Sequence, residues 1–165
     1  MIQYRTPIKR SKELAPFSRE HHEGLLFIWK IRQGIRNQIS PRRIAAYCHW
    51  FWESHLQQHM QQEEEVLTSI LSKEHPMMQK MFDEHEAIRN QVAALNECIS
   101  YRSLRRLAEI VEYHIRFEER QLFPLIEHVA TTDPMKWLEC QLRTGNIYEK
   151  QWEDNFWSYR ITTLL

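Results

Sequence analysis

Apolar residues recur at helical spacing along most of the chain, and helix-breaking residues divide them into four long stretches. Leu14, Phe17, Leu25, Ile28, Ile31 and Ile35 form one stripe, which predicts a first helix from about Leu14 to Asn37. Ser40 and Pro41 then read as an N-cap followed by proline in the first turn, where a missing N–H costs nothing. A second helix follows through Ile44, Tyr47, Trp52, Leu56, Val66 and Ile70 to about Leu71. The segment 72–76 ends it, because the residue before Pro76 avoids helical angles. The third helix carries Met78, Met81, His85, Ile88, Val92 and Leu95. The fourth starts near Ser103 and carries Leu107, Ile110, His114, Phe117 and Leu122, then bends or ends near Pro124 or shortly after His128.

Short connections between long amphipathic helices make neighbours antiparallel. The expected fold is all-α: an up-down-up-down four-helix bundle over residues 1–130, with no strand-like alternation to compete. Residues 131–165 read as a short helical extension. Asp133-Pro134 suits a helix start and Gly145-Asn146 a turn. Trp137, Trp152, Phe156 and Trp157 supply large apolar groups, either for packing across the bundle or for a homodimer contact.

Composition narrows the function classes. The 165 residues suit one domain, large enough to bury a core without staples. Lys plus Arg, 22, equals Asp plus Glu, 22, so the basic excess of a nucleic-acid binder is missing. Cys48, Cys98 and Cys140 are far apart and form no CxxC pair, which favours a reducing compartment. Residues 1–12 are polar and basic, without the apolar run of a secretory signal. No stretch approaches the ~18 apolar residues of a membrane span. The expectation is a soluble, cytoplasmic protein with neither nucleic-acid nor membrane partners. Three glycines suit a helical chain; nine histidines need an explanation.

His59 and Glu63 on helix 2, and His114 and Glu118 on helix 4, are both His-x-x-x-Glu pairs. Residues four apart share a helix face. His85 lies on the apolar stripe of helix 3, and His21-His22 sit on helix 1. Counting residues from each turn, at about 1.5 Å rise per residue, brings all of these to one cross-section within a few ångströms. A lone buried histidine is commonly a hydrogen-bonded core residue. Several buried histidines with two buried glutamates and no matched arginine cost far less with a cation among them. On helix 1 either His21 or His22 could take the inward place. Phe17 four residues before His21 and Ile28 seven after favour His21 slightly, leaving the other behind the ligands or facing helix 3. His49 and His128 belong near surfaces or bundle ends, and His75 to the turn before Pro76. His55, one turn before His59, reads as a supporting or pocket residue. Of the run 63–65 only Glu63 has the inward phase; the rest reads as solvated. Imidazole with carboxylate suits iron, zinc or manganese.

In this order the residues resemble the hemerythrin-like family, the HHE cation-binding domain, over about residues 14 to 130. Its pattern is His, then His-x-x-x-Glu, then His, then His-x-x-x-Glu, one element per helix. This chain matches at His21 or His22, His59 with Glu63, His85, and His114 with Glu118, and its Leu-Phe-Pro before residue 125 is similar too. The marine oxygen carriers add a histidine on helix 3 and an aspartate on helix 4. The chain has neither, so it resembles the bacterial and regulatory branch. It also has no cysteine-bearing segment of the kind that opens the iron-sulfur repair proteins. The resemblance implies two iron ions about 3–4 Å apart, joined by an oxo or hydroxo bridge, with zinc or manganese as substitutes. Both glutamates would bridge and each iron would take two histidines, leaving an open position for O2, NO or peroxide. The implied function is binding or sensing of O2, NO or iron. The alternatives are a di-iron oxidase or NO- or peroxide-reducing enzyme, and a metal-dependent interaction module. Met60, Met81, Phe82 and Phe117 are expected to keep water out, and Tyr113 or Tyr47 to offer a hydrogen bond or an electron.

Overall fold

The computed structural model describes residues 10–130 and 151–158. The first helix, α1, is Ala15–Arg36. Its end is a Schellman turn. Gln38 takes the left-handed φ of 54°, its N–H donates to Ile35, and the N–H of Ile39 reaches back to Gly34. The second helix runs from α2, Pro41–Phe51, through a π segment, Trp52–Leu56, into α3, Gln57–Leu67. It stops a turn short of the expected Leu71. The third, α4, is Pro76–Ala94, and His75 caps it by accepting the Met77 N–H on Nδ1 at 3.1 Å. The fourth begins as α5, Tyr101–Phe117, where Ser100 and Ser103 close a capping box. It passes a second π segment, Glu118–Leu122, and continues as α6, Phe123–Val129. Pro124 therefore does not end the helix. Proline lacks the N–H and crowds the carbonyl four residues back, and the wide π turn immediately before it relieves both demands.

These helices form the expected bundle, with α1 and α4 both packed closely on α5. Among the described residues there is no strand, and no helix is long and apolar enough to cross a membrane. The inward stripe of α1 is Phe17, His21, Gly24, Phe27, Ile28, Ile31 and Gly34. Leu25, expected on that stripe, is exposed, because it lies one residue, about 100°, beyond Gly24.

The core has two apolar layers. One is built from Phe27, Ile31, Ile44, Tyr47, Phe51, Leu56, Ile88, Leu107 and Ile115. The other is built from Leu14, Phe17, Val66, Leu67, Met78, Met81, Phe117, Phe123 and Ile126. Among the described residues, six buried polar side chains complete the interior: His21, His59, Glu63, His85, His114 and Glu118. Of the C-terminal extension, Phe156 is fully buried in the first layer, within a short 3₁₀ turn, Phe156–Ser158. Trp152 and Trp157 pack beside it on Tyr47. Trp137, the Asp133-Pro134 start and the Gly145-Asn146 turn lie outside the described residues.

Candidate metal centre

The six buried polar residues come from all four helices and meet at one level. Both glutamates are 0% exposed, and none of their four carboxylate oxygens has a hydrogen-bond partner. His21 Nε2 is likewise unpartnered. It lies 3.0 Å from Glu118 Oε2 and 3.4 Å from Glu63 Oε1, close but without hydrogen-bond geometry. His59 Nε2 is 3.2 Å from Glu63, and His114 Nε2 is 3.2 Å from Glu118. Two groups have ligand atoms that all lie within 4.8 Å of one another: His21, His59, Glu63 and Glu118, and Glu63, His85, His114 and Glu118. They share both glutamates.

The other nitrogen of every imidazole is taken by a second glutamate. His21 Nδ1 lies 2.8 Å from Glu119, His59 Nδ1 2.6 Å from Glu20, His85 Nδ1 2.8 Å from Glu64, and His114 Nδ1 3.1 Å from Glu84. A carboxylate accepts, so each Nδ1 donates, and each Nε2 is left to face the cluster. His85 Nε2 and His114 Nε2 are 3.1 Å apart. Two lone pairs at that distance repel unless a proton or a cation stands between them.

The electrostatics describe a site that holds positive charge. Burial alone would lower the histidines, but the glutamates outweigh it. His59 is pushed up to about 9, mainly by Glu63 and Glu20, and His85 to about 9 by Glu63, Glu64 and Glu118. His21 rises well above its usual value through Glu118, Glu119 and Glu63. Glu63, which burial would raise, is held well below the carboxylate range by His59, His21 and His85. Glu119 falls to about 2 against its own burial, held by His21, Ser18 and Arg10. Buried oxygens without donors, beside nitrogens oriented toward them, fit a divalent cation: it would satisfy the orphaned atoms and replace the protons.

Six of the seven residues expected at the centre are brought together. The seventh, His22, is exposed on the outer face of α1, since one residue turns it about 100° away from His21. Two further expectations are corrected. Glu64 is no free solvated residue but holds His85 and pairs with Arg89. Neither tyrosine reaches the centre: Tyr113 is 62% exposed, and Tyr47 is enclosed by Phe27, Phe51 and Phe156. His55 lines a cavity of about 40 Å³ beside the centre, with Gly24, Phe51, Leu56, Ile115 and three of the buried histidines. Sequence reasoning missed the outer glutamates 20, 84 and 119. Each adjoins a cluster residue in the chain, and that adjacency was the available signal.

A four-helix bundle with a buried imidazole–carboxylate cluster defines a helical cation-binding protein. The chain belongs to the hemerythrin HHE cation-binding domain family, whose model matches residues 14–126 and, in a second alignment, 76–139. No curated protein and no solved structure matches it.

Proposed function

We propose that the centre binds two iron ions and that the protein binds or senses a small diatomic ligand, O2 or NO, or iron itself, as a member of the bacterial, regulatory branch. His21 and His59 would hold one ion, His85 and His114 the other, and Glu63 and Glu118 both. The observation that carries this reading is the sharing of two unpartnered glutamates between two ligand groups. Iron bound there would supply reversible electron transfer and a coordination position for the ligand. The protein's part is to orient four Nε2 atoms, exclude bulk water and offer space. The cavity of about 40 Å³ has that scale, since a water needs about 10–15 Å³ on the same measure. Its small size, with Gly24, Phe51, Leu56 and Ile115 in its wall beside Glu20, Glu23 and the histidines, suits a diatomic better than an organic substrate. Binding or sensing is therefore favoured over an oxidase acting on such a substrate.

Metal analysis with an ultraviolet-visible spectrum, on protein from iron-supplemented cells, tests the reading. About two irons per chain, with charge-transfer bands that change on reduction and on exposure to air, is the expected result. Colourless protein that takes up no ferrous iron anaerobically would overturn it. His59→Ala or Glu118→Ala should strip at least half the metal, and full retention in either variant would break the ligand assignment.

A further inference from the structure

The four outer glutamates form a closed ring. Glu20 of α1 holds His59 of the second helix, Glu64 of the second helix holds His85 of the third, Glu84 of the third holds His114 of the fourth, and Glu119 of the fourth holds His21 of the first. Every helix thus gives one glutamate and receives one. The ring is not uniform. Glu119 is clamped by Arg10 at 3.0 Å and by the Ser18 hydroxyl at 2.6 Å. Glu64 is clamped by Arg89, and Glu84 by Lys80 at 2.8 Å. Among the described residues no lysine or arginine pairs with Glu20. Its side chain is the most exposed of the four at 32%, and it alone among them lines the cavity.

We propose that the ring glutamates are positioning residues for the cations, and that the unclamped Glu20 makes the His21–His59 half of the centre the exchangeable half. The proposal rests on the two-cation reading above. An imidazole binds through Nε2 only while Nδ1 keeps its proton and the ring keeps its orientation, and the carboxylate on Nδ1 enforces both. On the His85–His114 side both enforcing carboxylates are themselves fixed by cations. On the His21–His59 side one of the two, Glu20, is paired with no lysine or arginine among the described residues. That weak link stands at the cavity, where solvent or a competing ligand arrives. The two halves differ in retention although their inner ligands are the same in kind and number.

Cobalt(II), bound anaerobically and followed by its visible absorption, is the probe. The protein is loaded, its equivalents are counted, and excess chelator is added. We expect two equivalents that leave in two phases of equal amplitude. Glu20→Ala should accelerate the faster phase about tenfold or more, the scale of lost outer partners, and spare the slower. Glu20→Gln keeps an oxygen acceptor for His59 Nδ1 and should restore most of the retention. Lys80→Ala, a surface change that unclamps Glu84 and leaves its bond to His114, should move the slower phase toward the faster. Single-phase release from the unaltered protein would overturn the proposal, as would equal acceleration of both phases by Glu20→Ala. Loading of fewer than two equivalents would overturn the two-cation reading and this inference with it.

Discussion

On the Phe17 side of the candidate metal centre, rings press directly against the cluster histidines. Phe123 stacks on His21 at 5.3 Å and 12°, and Phe17 meets His59 edge-on at 5.8 Å. On the Phe51 side, the layer stands back. There α1 has a glycine, Gly24, the second helix widens into its π segment, and the cavity opens between them. Both layers are apolar and well buried, so hydrophobicity does not distinguish them. What differs is whether a side chain fills the space next to the imidazoles. One layer seals the centre and the other gives access to it.

The comparison breaks most visibly at Phe123. It is 0% exposed, and truncating a buried phenylalanine costs about 3–5 kcal/mol. Phe123→Ala should lower stability by that much in denaturant titration and admit water to His21. If stability is unchanged, the sealed side is not sealed by this ring.

The protons on the histidines give the next effect. His59 and His85 rise to about 9 in the folded, metal-free chain, against about 6.5 when unfolded. A raised value means that the folded state binds the proton more tightly. Their stabilisation is therefore complete below about pH 6.5 and is lost as pH rises through 9. Melting of the metal-free protein should fall across that window. Cation uptake requires the same protons to leave, so metal affinity should rise across it. A metal-free melting temperature that climbs between these limits would contradict the assignment.

The two inward glycines of α1 sharpen the contrast at smaller scale. A Cβ at Gly34 would meet Phe156 at 2.7 Å and Ile44 at 2.9 Å, inside a filled layer. Gly34→Ala should cost about 1–3 kcal/mol, as overpacking does. A Cβ at Gly24 would meet only the tip of Ile115, at 2.8 Å, and both residues line the cavity, which gives that tip somewhere to go. Alanine also favours a helix by about 0.5–1 kcal/mol over glycine. Gly24→Ala should leave melting nearly unchanged, keep the metal and weaken binding of NO. Equal destabilisation by the two substitutions would mean that the cavity gives no room.

Much of this was legible in the chain because it is written in local spacing. Proline at the start of α2 and α4 and the inward 17, 21, 28, 31 stripe all follow from positions a few residues apart. The two His-x-x-x-Glu pairs are equally local, and they placed four of the six inner residues on the correct faces. Leu25, His22 and Glu64 were harder, because each lies one residue from a residue that is inward, and a shift of about 100° is small against the width of an apolar stripe.

The sequence by itself determined the helices and the set of residues able to meet at one level, since these depend on backbone propensity and on contacts within a turn or two; the side-chain caps that form, His75 and Ser100, were not among those it indicated. The sequence only leaned to His21 over His22; the tertiary structure settled that choice, and it alone decided that four outer glutamates close a ring between helices and that one side of the centre is sealed while the other opens. Those outcomes depend on how each helix is rotated against its neighbours and where its pitch widens. Packing of the whole bundle sets that, and no single segment carries it.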